Sequence, residues 1–148
     1  MTSNPVIAVI PGDGIGGDVT RAALAVVDAA LQASGAANLD YRYLEAGAGY
    51  FRETGRDAEQ EFDESTAAAD AIFLGAIGLP GIRHDDGTEI SPHLRIRENL
   101  NLYAGVRPVR AYPNSVKVLG DERAALIDLV ILRESTDCLL YTSDAADE

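Results

Sequence analysis

Residues 6–17, VIAVIPGDGIGG, decide the fold, because a short apolar run leads directly into a glycine-rich turn. The run VIAVI is rich in β-branched residues and is closed by Pro11, which is typical of a buried strand. Between Asp18 and Ser34 apolar side chains recur at helical spacing, and Gly35 is a typical helix stop. The stretch therefore predicts a strand–turn–helix unit at the start of an α/β fold.

Similar apolar and amphipathic patterns alternate along the rest of the chain. The apolar runs predict buried strands at residues 71–77 and 129–132, and less enclosed strands at 41–46 and 103–111. The remaining patterns predict helices at 57–69 and 94–102 and a Gly- and Pro-rich loop at 78–93. Such alternation favours a parallel-rich sheet flanked by helices.

Composition limits both the class of protein and its partners. The chain has 148 residues, about one domain, and its formal net charge of -12 repels nucleic acid and anionic membranes. No apolar run approaches the ~20 residues that span a bilayer, and we expect no signal peptide. Cys138 is the one cysteine, which excludes an internal disulfide and a multi-cysteine metal site. We expect a cytoplasmic protein whose partner is a small molecule.

Positive charge is concentrated in one part of this acidic chain. Residues 91–117 hold five basic side chains and a single acid. A guanidinium group binds carboxylate or phosphate through two parallel hydrogen bonds, so this segment suits a small anion. Arg97 and Arg107 lie ten residues apart, and Arg133 ends an apolar run, which delivers it to the ligand-binding edge of a sheet. A solvated or ion-paired role for each arginine is the alternative.

The turn GDGIGG also matches the dinucleotide pattern G-x-G-x-x-G through Gly12, Gly14 and Gly17. Backbone N–H groups at such a helix start can bind a pyrophosphate. Asp13, however, places a carboxylate where phosphate oxygens would approach. The alternative is a turn that needs glycine for steric reasons.

Four motifs occur in a fixed order: IPGDGIG, FLGAIG, LRIRENLNLYAGVRPVR and VILREST. Together they cover roughly residues 5–137, and in this order and spacing they resemble the isocitrate and isopropylmalate dehydrogenase family, the metal-dependent β-decarboxylating dehydrogenases. The resemblance implies the N-terminal portion of the isopropylmalate dehydrogenase-like α/β fold. That fold is not a true Rossmann domain, so the resemblance removes the pyrophosphate interpretation of GDGIGG.

The family oxidises a 2-hydroxy acid with NAD or NADP and releases the β-carboxylate as CO2, with Mg or Mn as Lewis acid. By motif position, the resemblance implies that Arg97, Arg107 and Arg133 hold the substrate carboxylates. It places Ser91 where isocitrate enzymes meet the γ-carboxylate, although Ser91 can equally cap a helix that begins near Pro92. We expect NAD and 3-isopropylmalate, as in the leucine-biosynthesis members, with isocitrate, tartrate and malate left open.

The resemblance also indicates which residues lie beside the cofactor. In the family the first turn packs near the cofactor, and the loop that corresponds to residues 78–89 lines its nicotinamide side. The cofactor-binding candidates are therefore Ile15, Gly78, Leu79, Pro80 and Glu89. Leu79 stands where isopropylmalate enzymes usually carry glycine, which is a departure within this loop.

The end of the chain departs from the family. After REST the family continues with an acid, a glycine, a variable residue and commonly the catalytic tyrosine, whereas here Cys138 follows the acid and Tyr141 comes one position late. We expect residues 1–137 to be a truncated N-terminal part of the dehydrogenase and residues 138–148 to be a non-native tail. The catalytic tyrosine and lysine and the metal-binding aspartates would then be absent, leaving an inactive fragment of a homodimer with exposed apolar surface. A stand-alone anion-binding module is the alternative.

Overall fold

The computed structural model describes residues 4–114, 116 and 118–134. The chain divides into two compact units, residues 1–99 and residues 100–148. The predicted boundary at residue 137 and the predicted tail at 138–148 lie outside the described residues and stay predictions.

The first unit is built on a three-stranded parallel sheet in the order β2-β1-β3. Its strands are β1 (Val6–Gly12), β2 (Asp40–Tyr43) and β3 (Ala71–Ala76). The central strand is the most enclosed, since Ala8, Val9 and Ile10 are fully buried. The predicted parallel sheet is therefore confirmed, and the apolar run VIAVI forms its centre.

Four helices accompany this sheet: α1 (Gly16–Ser34), α2 (Ala48–Thr54), α3 (Phe62–Ala67) and α4 (Pro92–Asn99). Helix α1 packs on β1 and β3 and buries Thr20 and Leu24, which lie one turn apart. It ends at Gly35, whose left-handed conformation (φ 66°) closes the helix as the sequence predicts.

Helices α3 and α4 are joined through one buried aromatic side chain. Phe62 begins α3 and is 2% exposed, and the Arg95 guanidinium of α4 lies 5.4 Å from the centre of its ring. Arg95 Nε also donates to the Asp63 carboxylate at 3.0 Å. These contacts, with the buried Ile96, hold the helix that carries Arg97.

The helices differ from prediction in three places. Helix α2 is not predicted, because the stretch EAGAGY (45–50) is rich in glycine, which favours a loop. The helix expected at 57–69 is confined to α3. Helix α4 begins at Pro92, two residues before its predicted start, and proline suits a first turn because that turn needs no N–H donor.

The second unit contains an antiparallel ribbon of β4 (Ala104–Arg110) and β5 (Asp128–Glu134). A single 3₁₀ turn, Glu122–Leu126, precedes β5. Asp121 caps this turn, since its carboxylate accepts a hydrogen bond from the Arg123 backbone N–H at 2.8 Å.

Residues 129–132 do form a strand, as part of β5, but the prediction that this strand is buried is wrong. The exposed fraction of these side chains ranges from 46% at Leu129 to 72% at Leu132. A continuous apolar run is typical of a strand covered on both faces, but both faces of the ribbon leave apolar side chains exposed in the described part of this unit. The expected exposed apolar surface is found here. Within the described ranges, no helix combines the length and apolar character needed to span a membrane.

Candidate active site

The three parallel strands of the first unit end at a common edge of the sheet. The chain leaves the central strand β1 toward β2 on one side, and β3 returns on the other side. In open α/β sheets ligands bind beyond the carboxyl ends of the strands, beside such a reversal. The segments that follow the strands here begin at Asp13, Leu44 and Ile77.

Asp13 joins these three segments through its carboxylate. Asp13 is only 5% exposed. Its Oδ2 accepts hydrogen bonds from the Ala48 N–H at 2.9 Å and the Gly78 N–H at 2.7 Å. Its Oδ1 accepts from the Gly49 N–H at 2.7 Å. Its own N–H donates to the Ala76 carbonyl at 2.6 Å. The carboxylate thus accepts hydrogen bonds from backbone N–H groups at this edge of the sheet. Two of these groups belong to the first turn of helix α2.

Two glycines allow this close packing. Gly12 has φ 74°, and a Cβ there would overlap the Ala76 carbonyl oxygen. Gly47 has φ 121°, and a Cβ there would overlap the Asp13 carboxylate. Both positions therefore need glycine for backbone conformation and for space. The geometry supports the steric interpretation of the GDGIGG turn.

A cavity of about 260 Å³ lies beside this edge in the first unit. Four of the five predicted cofactor residues line it, namely Gly78, Leu79, Pro80 and Glu89. The fifth, Ile15, is 68% exposed and is not part of the lining. Its turn still adjoins the cavity wall, because a Cβ built on Gly14 would lie 3.7 Å from Leu79 Cδ2.

This cavity is small and has a mixed polar and apolar lining. Pockets for drug-sized ligands measure roughly 300–1,000 Å³, so this cavity has room for one ring system rather than for a whole dinucleotide. Ile77 and Ile82 lie in its lining beside the charged side chains of Arg83 and Glu89.

Arg83 is a residue of this cavity that the sequence analysis missed. Its Nη2 lies 2.9 Å from Glu89 Oε1, and its Nη1 donates to the Gly87 carbonyl at 3.1 Å. The pair closes a turn around Gly87, whose φ is 86°. The sequence signal for it is the dipeptide Asp86-Gly87 between a basic and an acidic residue, which is typical of a turn that brings its flanks together.

The same loop is attached to helix α2 at its far end. The His84 ring contacts Phe51 edge-on, with 5.0 Å between ring centres. His84 Nε2 also lies 3.5 Å from Asp57 Oδ2. The loop is therefore held at its start, by Asp13 at Gly78, and near its middle, by these contacts at His84.

Three polar residues, Ser91, His93 and Arg97, lie in helix α4 or directly before it. Ser91 directly precedes the helix, and its carbonyl accepts a hydrogen bond from the Leu94 N–H at 3.0 Å. His93 and Arg97 are four residues apart and so share a helix face. Burial, and then the Arg97 guanidinium, lower the pKa of His93, while Glu89 acts in the opposite direction. His93 Nδ1 is buried and has no hydrogen-bond partner among the described residues.

The ribbon of the second unit places two predicted arginines on one face. Arg133 pairs with Gly105, and Arg107 pairs with Ile131. Side chains alternate along a strand and opposite residues share a face, so Arg107 and Arg133 are diagonal neighbours, about 7–8 Å apart. Arg110 lies on the other face, where its Nε is 3.6 Å from Asp128 Oδ2.

The grouping of all three predicted arginines stays a prediction, because Arg97 belongs to the first unit. A metal centre is not formed by the described residues, among which no three potential His, Cys, Asp or Glu ligands lie together.

Comparison with known proteins gives the family. The pattern of the isocitrate/isopropylmalate dehydrogenases matches residues 6–147. The chain belongs to this family. The sequence resemblance and the predicted fold class are thereby confirmed, including the α/β fold with a parallel sheet flanked by helices.

Individual relatives within the family act on different acids. The chain is 37% identical over 131 residues to a 3-isopropylmalate dehydrogenase of Thermobifida fusca, and 33% identical over 132 residues to a D-malate dehydrogenase [decarboxylating] of Escherichia coli. Each match covers 88% of this chain and 36% of the relative. The crystal structure of a β-decarboxylating dehydrogenase from Thermococcus kodakarensis, in its apo form, is similar with a TM-score of 0.65 and 31% identity. That match covers 90% of this chain and 34% of the other.

This chain therefore spans about a third of the length of these relatives. The described residues supply a sheet edge, a cavity and arginines at the positions that the family motifs indicate.

Proposed function

We propose that this chain is the substrate- and nicotinamide-binding part of an oxidative decarboxylase of a 2-hydroxy acid. The observation that carries the proposal is the shared face of Arg107 and Arg133. The strand register places both guanidinium groups on the same side of the ribbon. Two carboxylates of one small molecule match such a pair, because each guanidinium can hold one carboxylate through two hydrogen bonds. By motif position, Arg97 and Ser91 of the first unit are proposed as further substrate-binding residues.

For the substrate we propose 3-isopropylmalate. Leu94, which is 45% exposed on α4, offers an aliphatic surface near the position of Arg97 on the same helix. An aliphatic surface favours a branched alkyl substituent over a third carboxylate. Isocitrate, malate and tartrate are the alternatives, and a hydrogen bond from Ser91 to a polar substituent would favour them.

For the cofactor we propose NAD, with NADP as the alternative, and Mg or Mn as the metal. When bound, these groups would accept the hydride and polarise the substrate oxygens. The chain's own contribution is to hold the nicotinamide side against Ile15, Gly78, Leu79, Pro80 and Glu89. Since no metal-ligand group lies among the described residues, we assign the metal no ligand from them. The whole protein is proposed to be a cytoplasmic homodimer.

Substrate binding is tested on this chain by NMR titration with 3-isopropylmalate, isocitrate, malate and tartrate at one fixed ionic strength. Losing a charge-assisted hydrogen bond at an exposed site costs about 1.5 kcal/mol, so R107A and R133A are each expected to raise Kd about tenfold. R110A is the matched control, because Arg110 lies on the opposite face beside Asp128. It is expected to change Kd less than about twofold.

Three results would reject parts of this proposal. Equal weakening by R110A would show unspecific attraction of anions rather than a site. Equal affinity for all four acids and for malonate would favour an anion-binding module without chemistry. The reaction itself is tested on the protein at the full length of its relatives, as NADH or NADPH formed from each acid with NAD or NADP and with Mg or Mn. Formation of neither NADH nor NADPH with any of the four acids would reject the enzymatic function.

A further inference from the structure

Asp13 has no part in the proposed binding of substrate or cofactor, yet it is the most heavily bonded buried side chain of the sheet edge. Its two oxygens accept three backbone N–H groups, from Ala48, Gly49 and Gly78. Two of these groups begin helix α2 and the third begins the cavity wall. A buried carboxylate with three donors is strongly directional, because charge-assisted hydrogen bonds are roughly twice as strong as neutral ones.

We propose that Asp13 is a positioning residue of the cofactor site, which fixes the wall Gly78–Pro80 against the turn that carries Ile15. The inference rests on the proposed function, since that function makes the cavity the nicotinamide side. The positioning itself follows from geometry alone. Gly78 has φ 109°, a conformation that favours glycine, and a Cβ built there would meet nothing within 4 Å.

The hydrogen bonds around the loop show where Asp13 acts. In the described residues, the Gly78 N–H bond to Asp13 is the hydrogen bond that ties the backbone of Gly78–Pro80 to the sheet edge. The next backbone bond, from the Ile82 N–H to the Leu79 carbonyl, is internal to the loop. The strands beneath are held independently, by pairing from Ile7↔Ala71 to Gly12↔Ala76. Loss of the carboxylate should therefore loosen the wall and leave the sheet intact.

Asparagine and alanine at position 13 separate this role from a general role in stability. Asparagine offers one acceptor oxygen, and placing it at the Oδ2 position preserves the bonds from Ala48 and Gly78 while the Gly49 bond is lost. Alanine removes all three bonds. Formate, a small free carboxylate, can replace the deleted group in the alanine variant.

The experiment is residue-resolved amide hydrogen exchange of this chain by NMR. In D13A the Gly78 amide is expected to exchange at least about tenfold faster, whereas the amides of Ala8–Ile10 keep their rates. Added formate is expected to slow the Gly78 amide again. In D13N the Gly49 amide should accelerate and the Gly78 amide should stay slow, which provides a test if D13A does not fold.

The outcomes are distinct. An unchanged Gly78 rate in folded D13A would overturn the proposal, and so would equal acceleration of Ala8–Ile10, which would mark a general loss of stability. Unchanged exchange of both Gly49 and Gly78 in D13N would also overturn it, because asparagine offers one acceptor oxygen and at least one of these bonds must be lost. NAD added to the wild-type chain reports separately on the proposed function. Absent protection of residues 78–82 by NAD would count against the cofactor site, while the exchange rates of the variants would still decide the role of Asp13.

Discussion

Alanine substitutions within GDGIGG separate a steric role of the turn from a phosphate-binding role. Gly12 and Gly17 are the first and last glycines of the matched pattern, and they differ in surroundings. A Cβ at Gly12 would overlap the Ala76 carbonyl oxygen, whereas a Cβ at Gly17, in the first turn of α1, would meet nothing within 4 Å. The same chemical change is therefore expected to alter the free energy of unfolding in opposite directions.

The magnitudes follow from the local geometry. Gly12 has φ 74°, and a left-handed conformation costs an ordinary L-residue about 1–2 kcal/mol. The overlap also forces β1 and β3 apart where Gly12 pairs with Ala76, which adds about 1 kcal/mol for a weakened hydrogen bond. G12A should thus lower the unfolding free energy by about 2–3 kcal/mol. G17A should raise it by up to about 0.5–1 kcal/mol, because alanine restricts the unfolded chain and favours helix.

Urea denaturation of wild type, G12A and G17A measures both changes. For a unit of about 100 residues, such as residues 1–99, about 1 kcal/mol corresponds to a melting shift of roughly 4–8 °C, so thermal melting provides a second readout. A G12A variant as stable as wild type would refute the steric account. Destabilisation of G17A by more than about 1 kcal/mol would show that the third glycine is also needed for close approach, as in a true dinucleotide fingerprint.

Two pH titrations test the surroundings of His93 and Tyr41, whose pKa values are shifted by burial and by a hydrogen bond, respectively. Burial, and then Arg97, lower the pKa of His93 below its ordinary 6.5, so its contribution to stability is full above pH 6.5 and is lost as pH falls through the lowered pKa. H93Q should flatten the pH dependence of urea unfolding below pH 6.5, and an unchanged dependence would contradict this. The hydrogen bond that Tyr41 donates to Asp28 at 2.7 Å raises the pKa of Tyr41 from 10.0 to about 12, so that contribution is full below pH 10 and is lost as pH rises through 12. The ultraviolet absorbance difference between wild type and Y41F should show one phenol ionising near pH 12, whereas ionisation near pH 10 would show that the bond is absent in solution.

The sequence predicts those elements whose causes are local. Strand β1 follows from an apolar run, and helix α1 follows from helical periodicity closed by Gly35. Helix α2 has no such signal, because its first N–H groups bond to Asp13, which lies 35 residues earlier in the chain. The Gly78 N–H finds the same carboxylate across 65 residues. Contacts of this range depend on the fold as a whole, so a pattern read along the chain does not contain them.

In the candidate site, too, the sequence predicts which residues are present but not how they are arranged in space. The arginines are predicted from the motifs, but the shared face of Arg107 and Arg133 depends on the strand register. A slip of one residue would put the two side chains on opposite faces, since side chains alternate along a strand. The pairing of Arg133 with Gly105 settles that relation. It could not be read from spacing, because the two arginines lie on different strands.

Several arginines among the described residues form ion pairs with nearby carboxylates. Arg83, Arg95 and Arg110 each lie within 4 Å of a carboxylate oxygen on another element or loop flank. Exposed pairs of this kind add at most about 1 kcal/mol to stability, and they cancel the positive field of the guanidinium nearby. Arg107 and Arg133 share a strand face whose other positions are glycine and aliphatic residues. In a chain with net charge -12, two guanidinium groups on one strand face raise the local positive potential, which is the property that the proposed binding of a dicarboxylate uses.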